Sequence, residues 1–434
     1  MRHPRHILVV AAALSALVLA AAGCGGDDDG GAADGGPVTL TFANWASAED
    51  ATRDGMLDLI KRFEQANSDI KIKSESVPFS DIGQNLVLRV NSGNPPDVAQ
   101  ISGNDTFAVA ATGGLADLDE SLTDVKGQLI PDDVEMGTID GKWVAMPWKD
   151  SPQGFFYNKK VMEEAGLDPN SPPTTIEELD QAMAQVKQKK PNVIPLGTDT
   201  TNRTFGLASQ WPWMLAFGAQ PFTDSKASAD TPEMRAYLEW ISGVVKNDYT
   251  LPNRRIGDFR PLAAQGEVAF IVDQPLLQGV IQSTSGMKDK EFHETWGVTT
   301  LPEGTTGESY SVPLGHQLVM FNKAADDGKA EAAAKFMGFL ATDPQAIEEF
   351  TIGVESSLPP LAEPAPEIQQ LLDTPLYNAF REKILPNSTL PIYGQTFSAG
   401  STPVMAGVQT AFSDEPVDSV AEQMQAQLEG AIGG

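Results

Sequence analysis

The sequence predicts an α/β protein made of two lobes, with a ligand cleft between them. Strand and helix patterns alternate over residues 38–101, which is typical of a sheet covered by helices. A loop within 140–158 carries aromatic and polar residues between two apolar runs, as expected where a chain crosses from one lobe to the other beside a ligand. The 434 residues, less a short leader, are enough for two domains of about 100–200 residues each.

Residues 1–23 predict a lipoprotein signal peptide. Arg2 and Arg5 precede an apolar run at 7–22, which has the length of a signal h-region and is short for a membrane span. The run ends in Ala-Ala-Gly before Cys24, which resembles a bacterial lipobox, so we expect lipidation of Cys24 and anchoring to the bacterial cell membrane. The alternative is an ordinary cleaved signal peptide with an incidental cysteine.

Composition excludes several classes of protein. Cys24 is the only cysteine, so no intrachain disulfide or thiolate metal cluster can form. Residues 24–37 are rich in Gly, Asp and Ala and predict a flexible tether. The net charge of −29 argues against nucleic acid and anionic lipid as partners, and it suits a soluble extracytoplasmic protein.

The ordered part begins with a β-α-β-α-β pattern. Alternating apolar residues predict strands at 38–42, 70–77 and 97–101, and apolar residues at helical spacing predict helices at 48–67 and 81–91. In open sheets of this kind, ligands bind beyond the carboxyl ends of the strands.

Three polar or aromatic residues follow those strand ends. Trp45 comes just after the first strand, and Asn104 and Asp105 follow the third. We therefore expect these side chains to face a ligand.

The crossing segment supplies further candidates. Pro147 ends an apolar run, and Trp148, Asp150, Ser151 and Gln153 follow it before the chain becomes apolar again. An indole beside polar groups at a lobe junction is typical of a small-molecule site.

The second half of the chain adds candidates from a loop and from strand ends. Residues 203–222 are dense in aromatics, and we place Trp211 and Trp213 there in a loop next to polar residues. Asp273 ends a strand at 268–272, and His316 enters a strand at 311–321. Helices are predicted near 175–186, 232–247, 327–341, 344–350, 366–383 and 416–429.

The chemistry of these residues favours binding over catalysis. The sequence has no HExxH, Walker loop or Gly-x-Ser-x-Gly motif, and a carboxylate pair is the only catalytic arrangement left open. Sugar rings have apolar faces and polar edges, so tryptophans beside Asp, Asn and Gln suit a carbohydrate. For each tryptophan, core packing is the alternative.

Short motifs recur in order along the chain and carry a family resemblance. They are Asn94-Pro95-Pro96-Asp97-Val98, Gly141 to Pro147 with Phe156 to Lys159, Ala165 to Leu167, Pro173 to Leu179, Gly266 to Phe270, and Ala332 to Thr342 followed by Pro344. In these motifs the chain resembles the extracellular solute-binding proteins, family 1, of ABC sugar importers, which include maltose-binding protein.

The resemblance implies a periplasmic-binding-protein-like fold, with a hinge and an interlobe ligand cleft. The lobes would be 38–149 with 300–341, and 150–299 with 342–434. The implied ligand-binding residues are Trp45, Asn104, Asp105, Trp148, Asp150, Ser151, Gln153, Trp211, Trp213, Asp273, His316, Tyr393 and Phe397.

The implied function is capture of a mono- or oligosaccharide and its delivery to an ABC permease. The protein would be an extracytoplasmic, lipid-anchored monomer that needs no cofactor or metal and catalyses no reaction. Two alternatives remain open at this point. One is the same fold binding a polyamine or another small solute, because Asp105, Asp150 and Asp273 could face a cation. The other is a secreted glycosidase with a carboxylate pair.

Overall fold

Two mixed β-sheets organise the protein. The computed structural model describes residues 37–223, 226–388 and 395–432. The strands are β1 Val38–Asn44, β2 Ile70–Ser76, β3 Val98–Ser102, β4 Thr138–Ile139, β5 Lys142–Trp143, β6 Met146–Lys149, β7 Gly154–Asn158, β8 Ile194–Gly197, β9 Phe222–Thr223, β10 Lys226–Ala227, β11 Val268–Asp273, β12 Trp296–Thr299 and β13 His316–Met320. The helices are α1 Arg53–Ala66, α2 Ile82–Asn91, α3 Gly103–Ala110, α4 Thr123–Lys126, α5 Pro131–Met136, α6 Lys159–Ala165, α7 Ile176–Lys189, α8 Thr204–Ala216, α9 Pro232–Lys246, α10 Ile256–Ala264, α11 Leu277–Ser285, α12 Asp289–Thr295, α13 Asn322–Asp326, α14 Ala330–Thr342, α15 Pro344–Ala346, α16 Pro366–Leu371, α17 Pro375–Ala379, α18 Gln395–Thr410 and α19 Val417–Ile432, with π-helical turns at Ile347–Ile352 and Phe380–Ile384 and a 3-10 turn at Leu385–Asn387.

The first sheet has the strand order β2-β1-β3-β13-β6. β1 pairs in parallel with β2 and β3, and β13 runs antiparallel between β3 and β6. Its core is aromatic: Phe336 of α14 makes edge-to-face contacts with Phe42 and Phe63, at centroid distances of 5.2 and 5.0 Å. The predicted β-α-β-α-β opening is present, with each strand end shifted by a few residues at most.

The second sheet has the order β12-β7-β11-β8 and a separate core. β7 is antiparallel to both of its neighbours, β11 and β12, and β11 is parallel to β8. Phe155 of β7 stacks on Phe270 of β11 at 5.4 Å, as expected for adjacent residues on one face of a sheet. The predicted α/β fold with two lobes is confirmed, whereas the exact lobe boundaries stay a prediction.

The chain passes between the sheets at more than one place, and hydrogen bonds join these passages. β6 belongs to the first sheet and β7 to the second, so residues 150–153 cross between them. The N–H of Asp150 donates to the carbonyl of Leu358 at 2.8 Å, and the N–H of Leu358 donates back at 3.0 Å. The N–H of Gln153 donates to the carbonyl of Val312 at 3.2 Å, which ties in the connection from β12 to β13.

Helix α1 begins later than the sequence indicates, and the turns that precede it position Trp45 and Glu49. The predicted helix starts near residue 48, but the chain forms turns until Arg53. The N–H groups of Ala48 and Glu49 both donate to the carbonyl of Trp45, at 2.8 and 3.1 Å. These turns hold Trp45 and Glu49 at the end of β1.

Residues 204–216 form helix α8, so the predicted loop at this position is wrong. Pro212 lies inside the helix, and nearly every side chain from Gly206 to Ala216 is buried. Because the helix is apolar on all sides, it has no amphipathic pattern for a sequence analysis to detect.

Some predictions fall outside the described residues. These are the signal peptide at 1–23, most of the tether at 24–37, Cys24 and Tyr393. Across the described ranges, no helix is both long enough and apolar enough to cross a bilayer.

Candidate functional site

A cavity of about 390 Å³ lies where the ends of β1, β3 and β11 meet the connection that enters β13. This volume is within the range of small-molecule sites, about 300–1,000 Å³. Its aromatic and charged lining residues are Trp45, Glu49, Phe79, Arg203, Phe205, Arg255, Asp258, Arg260, His316 and Glu355. We call this cavity the cleft.

Aromatic rings from both halves of the protein meet in the cleft. Trp45 makes edge-to-face contacts with Phe79 at 5.3 Å and with His316 at 4.9 Å. Phe79 follows β2 of the first sheet, and its ring lies 6.3 Å from the ring of Phe205, which belongs to α8. The cleft therefore has apolar walls contributed by elements of both sheets.

Arg260 is held in place by Asp273. Its Nε and Nη2 atoms donate to the two carboxylate oxygens of Asp273 at 2.8 and 2.9 Å. Asp273 is only 2% exposed, and it also accepts the N–H of Gln274 at 2.8 Å. A bidentate pair of this kind fixes the guanidinium plane. The third nitrogen, Nη1, takes no part in the pair and can donate a hydrogen bond into the cleft.

Arg203, on the neighbouring wall, is also held by two hydrogen bonds, one to a hydroxyl and one to a carboxylate. Its Nε donates to Thr201 Oγ1 at 2.8 Å and its Nη2 to Asp199 Oδ2 at 2.6 Å. The guanidinium carbon lies 4.9 Å from the centroid of the Phe205 ring. Two oriented cationic donors thus flank an aromatic surface.

A buried ion pair closes the base of the cleft. Lys149 has no exposed surface, and its Nζ lies 2.5 Å from Glu355 Oε1. The ammonium also lies 4.6 Å from the Trp148 ring centroid and 5.2 Å from that of Phe350. Burial lowers the pKa of Lys149, while Glu355 acts in the opposite direction.

Two more titratable groups in the cleft are shifted by their surroundings. Desolvation, and then the nearby Glu355 carboxylate, raise the pKa of Glu49. Burial, and then the positive charge of Lys149, hold the pKa of His316 well below its usual value. At neutral pH His316 is therefore an uncharged imidazole with one donor and one acceptor.

The structure brings some of the predicted residues to the cleft. Trp45 and His316 line it directly. Asp273 acts through Arg260, and Asp105 accepts a hydrogen bond from the lining residue Ser102 at 2.7 Å. Asn104 is part of α3 at the same strand end.

Three residues of the crossing segment lie beside the cleft rather than in its lining. Ser151 Oγ lies 2.7 Å from Ser357 Oγ, and Gln153 Nε2 donates to Ser209 Oγ at 3.0 Å. Asp150 lines a neighbouring cavity. The contact between Ser151 and Ser357 joins two passages between the sheets, and the Gln153 side chain joins the crossing segment to α8.

The other predicted aromatics are packed in the cores. Trp148 lies in β6, stacks on Phe350 at 5.7 Å and donates its Nε1–H to the carbonyl of Leu340 at 3.0 Å. Trp211 packs on Phe397 at 5.6 Å, and Trp213 packs on Trp240 at 4.9 Å. We predicted loops for these tryptophans. A strand and a helix hold them instead, and the structure does not bring them to the cleft.

Several lining residues were not predicted from the sequence, namely Glu49, Phe79, Arg203, Phe205, Arg255, Arg260 and Glu355. The pattern Arg260-x₁₂-Asp273, with a carboxylate at a strand end, is the one local signal that could have indicated the Arg260 pair. Lys149 and Glu355 are too far apart in sequence for any local pattern to connect them.

Residues 58–374 match the family model described as bacterial extracellular solute-binding protein. The chain belongs to this family. The relationship to solute-binding proteins that the motifs predicted is therefore confirmed. Proteins of this family act outside the cytoplasm, and the family and the structural neighbours are binding proteins rather than enzymes.

Named relatives of this solute-binding protein bind different solutes. The sn-glycerol-3-phosphate-binding periplasmic protein UgpB of Brucella abortus is 24% identical over 317 residues, covering 68% of this chain and 70% of that protein. The diacetylchitobiose binding protein DasA of Streptomyces coelicolor is 37% identical over 131 residues, covering 29% of this chain and 30% of that protein. The crystal structure of the cyclic alpha-maltosyl-1,6-maltose binding protein from Arthrobacter globiformis shares the fold, with a TM-score of 0.73 and 22% identity over 92% of this chain and 100% of that chain.

Proposed function

We propose that this protein captures a carbohydrate in the cleft and delivers it to the membrane permease of an ABC importer. The observation that carries the proposal is the pairing of aromatic walls with anchored polar groups. Trp45, Phe79 and Phe205 offer ring surfaces to the apolar faces of a sugar. Arg203 and Arg260 have fixed N–H groups that can donate to hydroxyl oxygens.

Binding and delivery would be coupled by closure of the two lobes. A solute that contacts residues from both sheets has higher affinity for the closed form, so its binding raises the population of that form. The Phe79 and Phe205 rings approach each other from the two sides of the cleft, and closure would change the distance between them. The closed form would then dock on the permease as a monomer.

The leader supports a position at the membrane surface. Lipidation of Cys24 would anchor the protein, and the Gly- and Asp-rich tether would let the lobes reach a permease. Growth with labelled palmitate should label the protein and should leave a Cys24→Ser variant unlabelled. Release of the unlabelled wild-type protein into the medium would contradict the anchor.

A solute with a phosphate ester is a second candidate, because three arginines line the cleft. Arg203, Arg255 and Arg260 could bind phosphate oxygens, and guanidinium groups do so well. The relative UgpB is named for such a solute. A polyamine is the third candidate, because the carboxylates of Glu49, Asp258 and Glu355 line the same cleft and could accept from ammonium groups.

The experiment is a titration of the purified protein with mono- and oligosaccharides, glycerol phosphate esters and polyamines. Tryptophan fluorescence and melting temperature report binding. We expect a saccharide to stabilise the fold by about 2.7 kcal/mol at a hundredfold excess over its Kd. A phosphate ester as the only hit would favour the second candidate, and hydrolysis of the saccharide would contradict a transport function.

Two phenylalanines at opposite ends of α8 provide a matched pair of variants. Phe205→Ala should reduce the affinity for the solute at least tenfold, because its ring lines the cleft. Phe217→Ala removes a half-buried ring at the other end of the helix and should leave the affinity within about twofold. Equal losses in the two variants would contradict the assignment of the cleft.

A further inference from the structure

The side chain of Gln100 connects two segments that end at the cleft. Gln100 lies in β3 and has no exposed surface. Its Oε1 accepts the N–H of Ala46, in the turn that follows β1, at 3.3 Å. Its Nε2 lies 3.5 Å from Nδ1 of His316, the first residue of β13. Gln100 does not itself line the cleft, so it can influence a solute only through these two neighbours.

Ala46 fixes the direction of this amide. A backbone N–H can only donate, so the end of the amide that faces it has to be the carbonyl oxygen. With the amide reversed, the N–H of Ala46 would point at an NH2 group, and two donors would meet in a buried place. The end of the amide that faces His316 is therefore the NH2 group.

The direction of the amide decides which nitrogen of His316 carries a proton. An amide NH2 group can only donate, so Nδ1 of His316 accepts from it and holds no proton. Burial and the positive charge of Lys149 lower the pKa of His316, so its ring is neutral at neutral pH and has a single N–H. That N–H is at Nε2, because the hydrogen bond at one ring nitrogen sets the state of the other.

Nε2 of His316 is the open end of this chain of donors. His316 is partly exposed and lines the cleft. No group of the described residues hydrogen-bonds to Nε2, and Nε2 is not one of their buried atoms that lack a partner, so it is accessible. The edge-to-face contact with Trp45, at 4.9 Å, restricts the plane of the ring. The cleft thus has a fixed N–H donor next to the indole.

We propose that Gln100 is a positioning residue of the cleft. It fixes His316 in the Nε2–H tautomer, and Nε2 then donates a hydrogen bond to an oxygen of the bound solute. The proposal rests on the proposed function, because it takes the cleft to be the solute site. It also specifies the solute group that faces β13, namely a hydroxyl, ether or phosphate oxygen with a free lone pair. An ammonium group at this point would meet a donor and find no acceptor.

This donor adds a contact from the first sheet to those available from the second. Arg203 precedes α8 and Arg260 lies in α10, and both helices pack in the cores of the second sheet. His316 belongs to the first sheet. A solute with acceptor oxygens on two sides can therefore be held from both sheets at once.

The test is nitrogen NMR of the full protein, labelled with ¹⁵N in histidine alone, at pH 7.5 and without solute. Couplings between ring protons and nitrogens show which nitrogen is protonated, and a His316→Gln variant assigns the signals. We expect a protonated Nε2 and an unprotonated, hydrogen-bonded Nδ1 for His316. A protonated Nδ1, or an average over the two tautomers, would overturn the proposal.

A pair of variants tests whether Gln100 sets this tautomer. Gln100→Met removes the amide at nearly constant length, and we expect the Nδ1–H tautomer of His316 to become populated. The control is Gln210→Met, since Gln210 is also fully buried and has its amide bonded at both ends, to Thr198 and Tyr237, but makes no hydrogen bond to His316. Equal changes of the His316 signals in both variants would refute a specific role of Gln100. If Gln100→Met does not fold, the spectrum of the wild type decides.

Titration with saccharides and glycerol phosphate esters tests the contact with the solute. His316→Gln carries an amide that can donate near the position of Nε2, so it should keep the affinity within about threefold of the wild type. His316→Leu has no donor and should bind at least tenfold more weakly. Equal affinities of the wild type and His316→Leu would overturn the contact. If no solute of the panel binds the wild type, the proposed function fails, whereas the NMR spectrum still decides the state of His316.

Discussion

At the scale of single residues, the cleft depends on ion pairs that fix its polar groups. Arg260 is held by Asp273, Arg203 by Asp199, and Lys149 by Glu355. Each pair fixes a charged side chain in or beside the cleft and compensates its charge. Such pairs add orientation more than stability, since desolvation offsets much of their attraction.

The Arg260–Asp273 pair can be tested by a double-mutant cycle. Arg260→Met leaves the buried Asp273 carboxylate without its partner, and we expect a loss of about 3–5 kcal/mol in the free energy of unfolding. Adding Asp273→Asn should restore at least half of that loss, because the uncompensated charge is gone. Urea denaturation measures both, and purely additive effects would contradict the pairing.

The Asp133–Asp150 pair makes stability depend on pH. The carboxyl groups of Asp133 and Asp150 are hydrogen-bonded to each other. Burial raises the pKa of Asp133 to about 6, and burial with Asp133 nearby raises the pKa of Asp150 well above its usual value. The stability that the protonated pair contributes is therefore complete below about pH 4 and is lost as the pH rises through 6 and above. Asp150→Asn removes one ionisable group, so this variant should be more stable than the wild type at pH 8, by about 1–3 kcal/mol. The difference should vanish near pH 4. Chemical denaturation at pH 4 and pH 8 measures the difference in free energy of unfolding between the variant and the wild type. An equal difference at both pH values would contradict the prediction.

At the scale of secondary structure elements, the strand ends position residues that line or support the cleft. Trp45 follows β1, Asp273 ends β11 and His316 begins β13. These positions were predictable, because a strand end in an α/β sheet is a general ligand position and strands can be recognised by alternation. Helix α8 was not predictable, since an all-round apolar helix with an internal proline lacks the usual periodicity.

Substitution of Trp148 in β6 and of Trp45 after β1 tests which tryptophan stabilises the core and which one contacts the solute. Trp148→Phe removes the hydrogen bond to the Leu340 carbonyl, and we expect a loss of about 1–3 kcal/mol in stability with unchanged affinity for the solute. Trp45→Phe should behave in the opposite way, with at least a fivefold loss of affinity and little loss of stability. Chemical denaturation measures the stability of the two variants, and titration with the solute measures their affinity. A large loss of affinity in Trp148→Phe would return this residue to the binding site.

At the scale of the whole molecule, the shape of the cleft depends on contacts that the sequence does not reveal. The two-lobe fold could be predicted from ordered short motifs, and the solved structures that share it confirm the prediction. The partners of Arg203 and Glu355, and the meeting of Phe79 with Phe205, depend on how distant segments pack. Local patterns in a sequence carry no information about such contacts, which is why these lining residues were missed.

Lobe closure predicts a change in the size of the molecule. Addition of a saturating solute should reduce the radius of gyration measured by small-angle X-ray scattering, because closure brings the two sheets together. Phe205→Ala should need more solute to reach the same change. An identical scattering curve with and without the bound solute would contradict a closing mechanism.

The position of β13 in the first sheet has a consequence for how the protein is made. β13 lies between β3 and β6, although it follows them by more than a hundred residues. Until residue 320 has been synthesised, β6 has no neighbour to pair with, and the edge of β3 stays open. A chain that is still being synthesised therefore cannot complete its first sheet before β13 has been made. A break of the chain at 150–153 or at 300–315 would separate β13 from the other strands of the first sheet, whereas the four strands of the second sheet would stay on one piece.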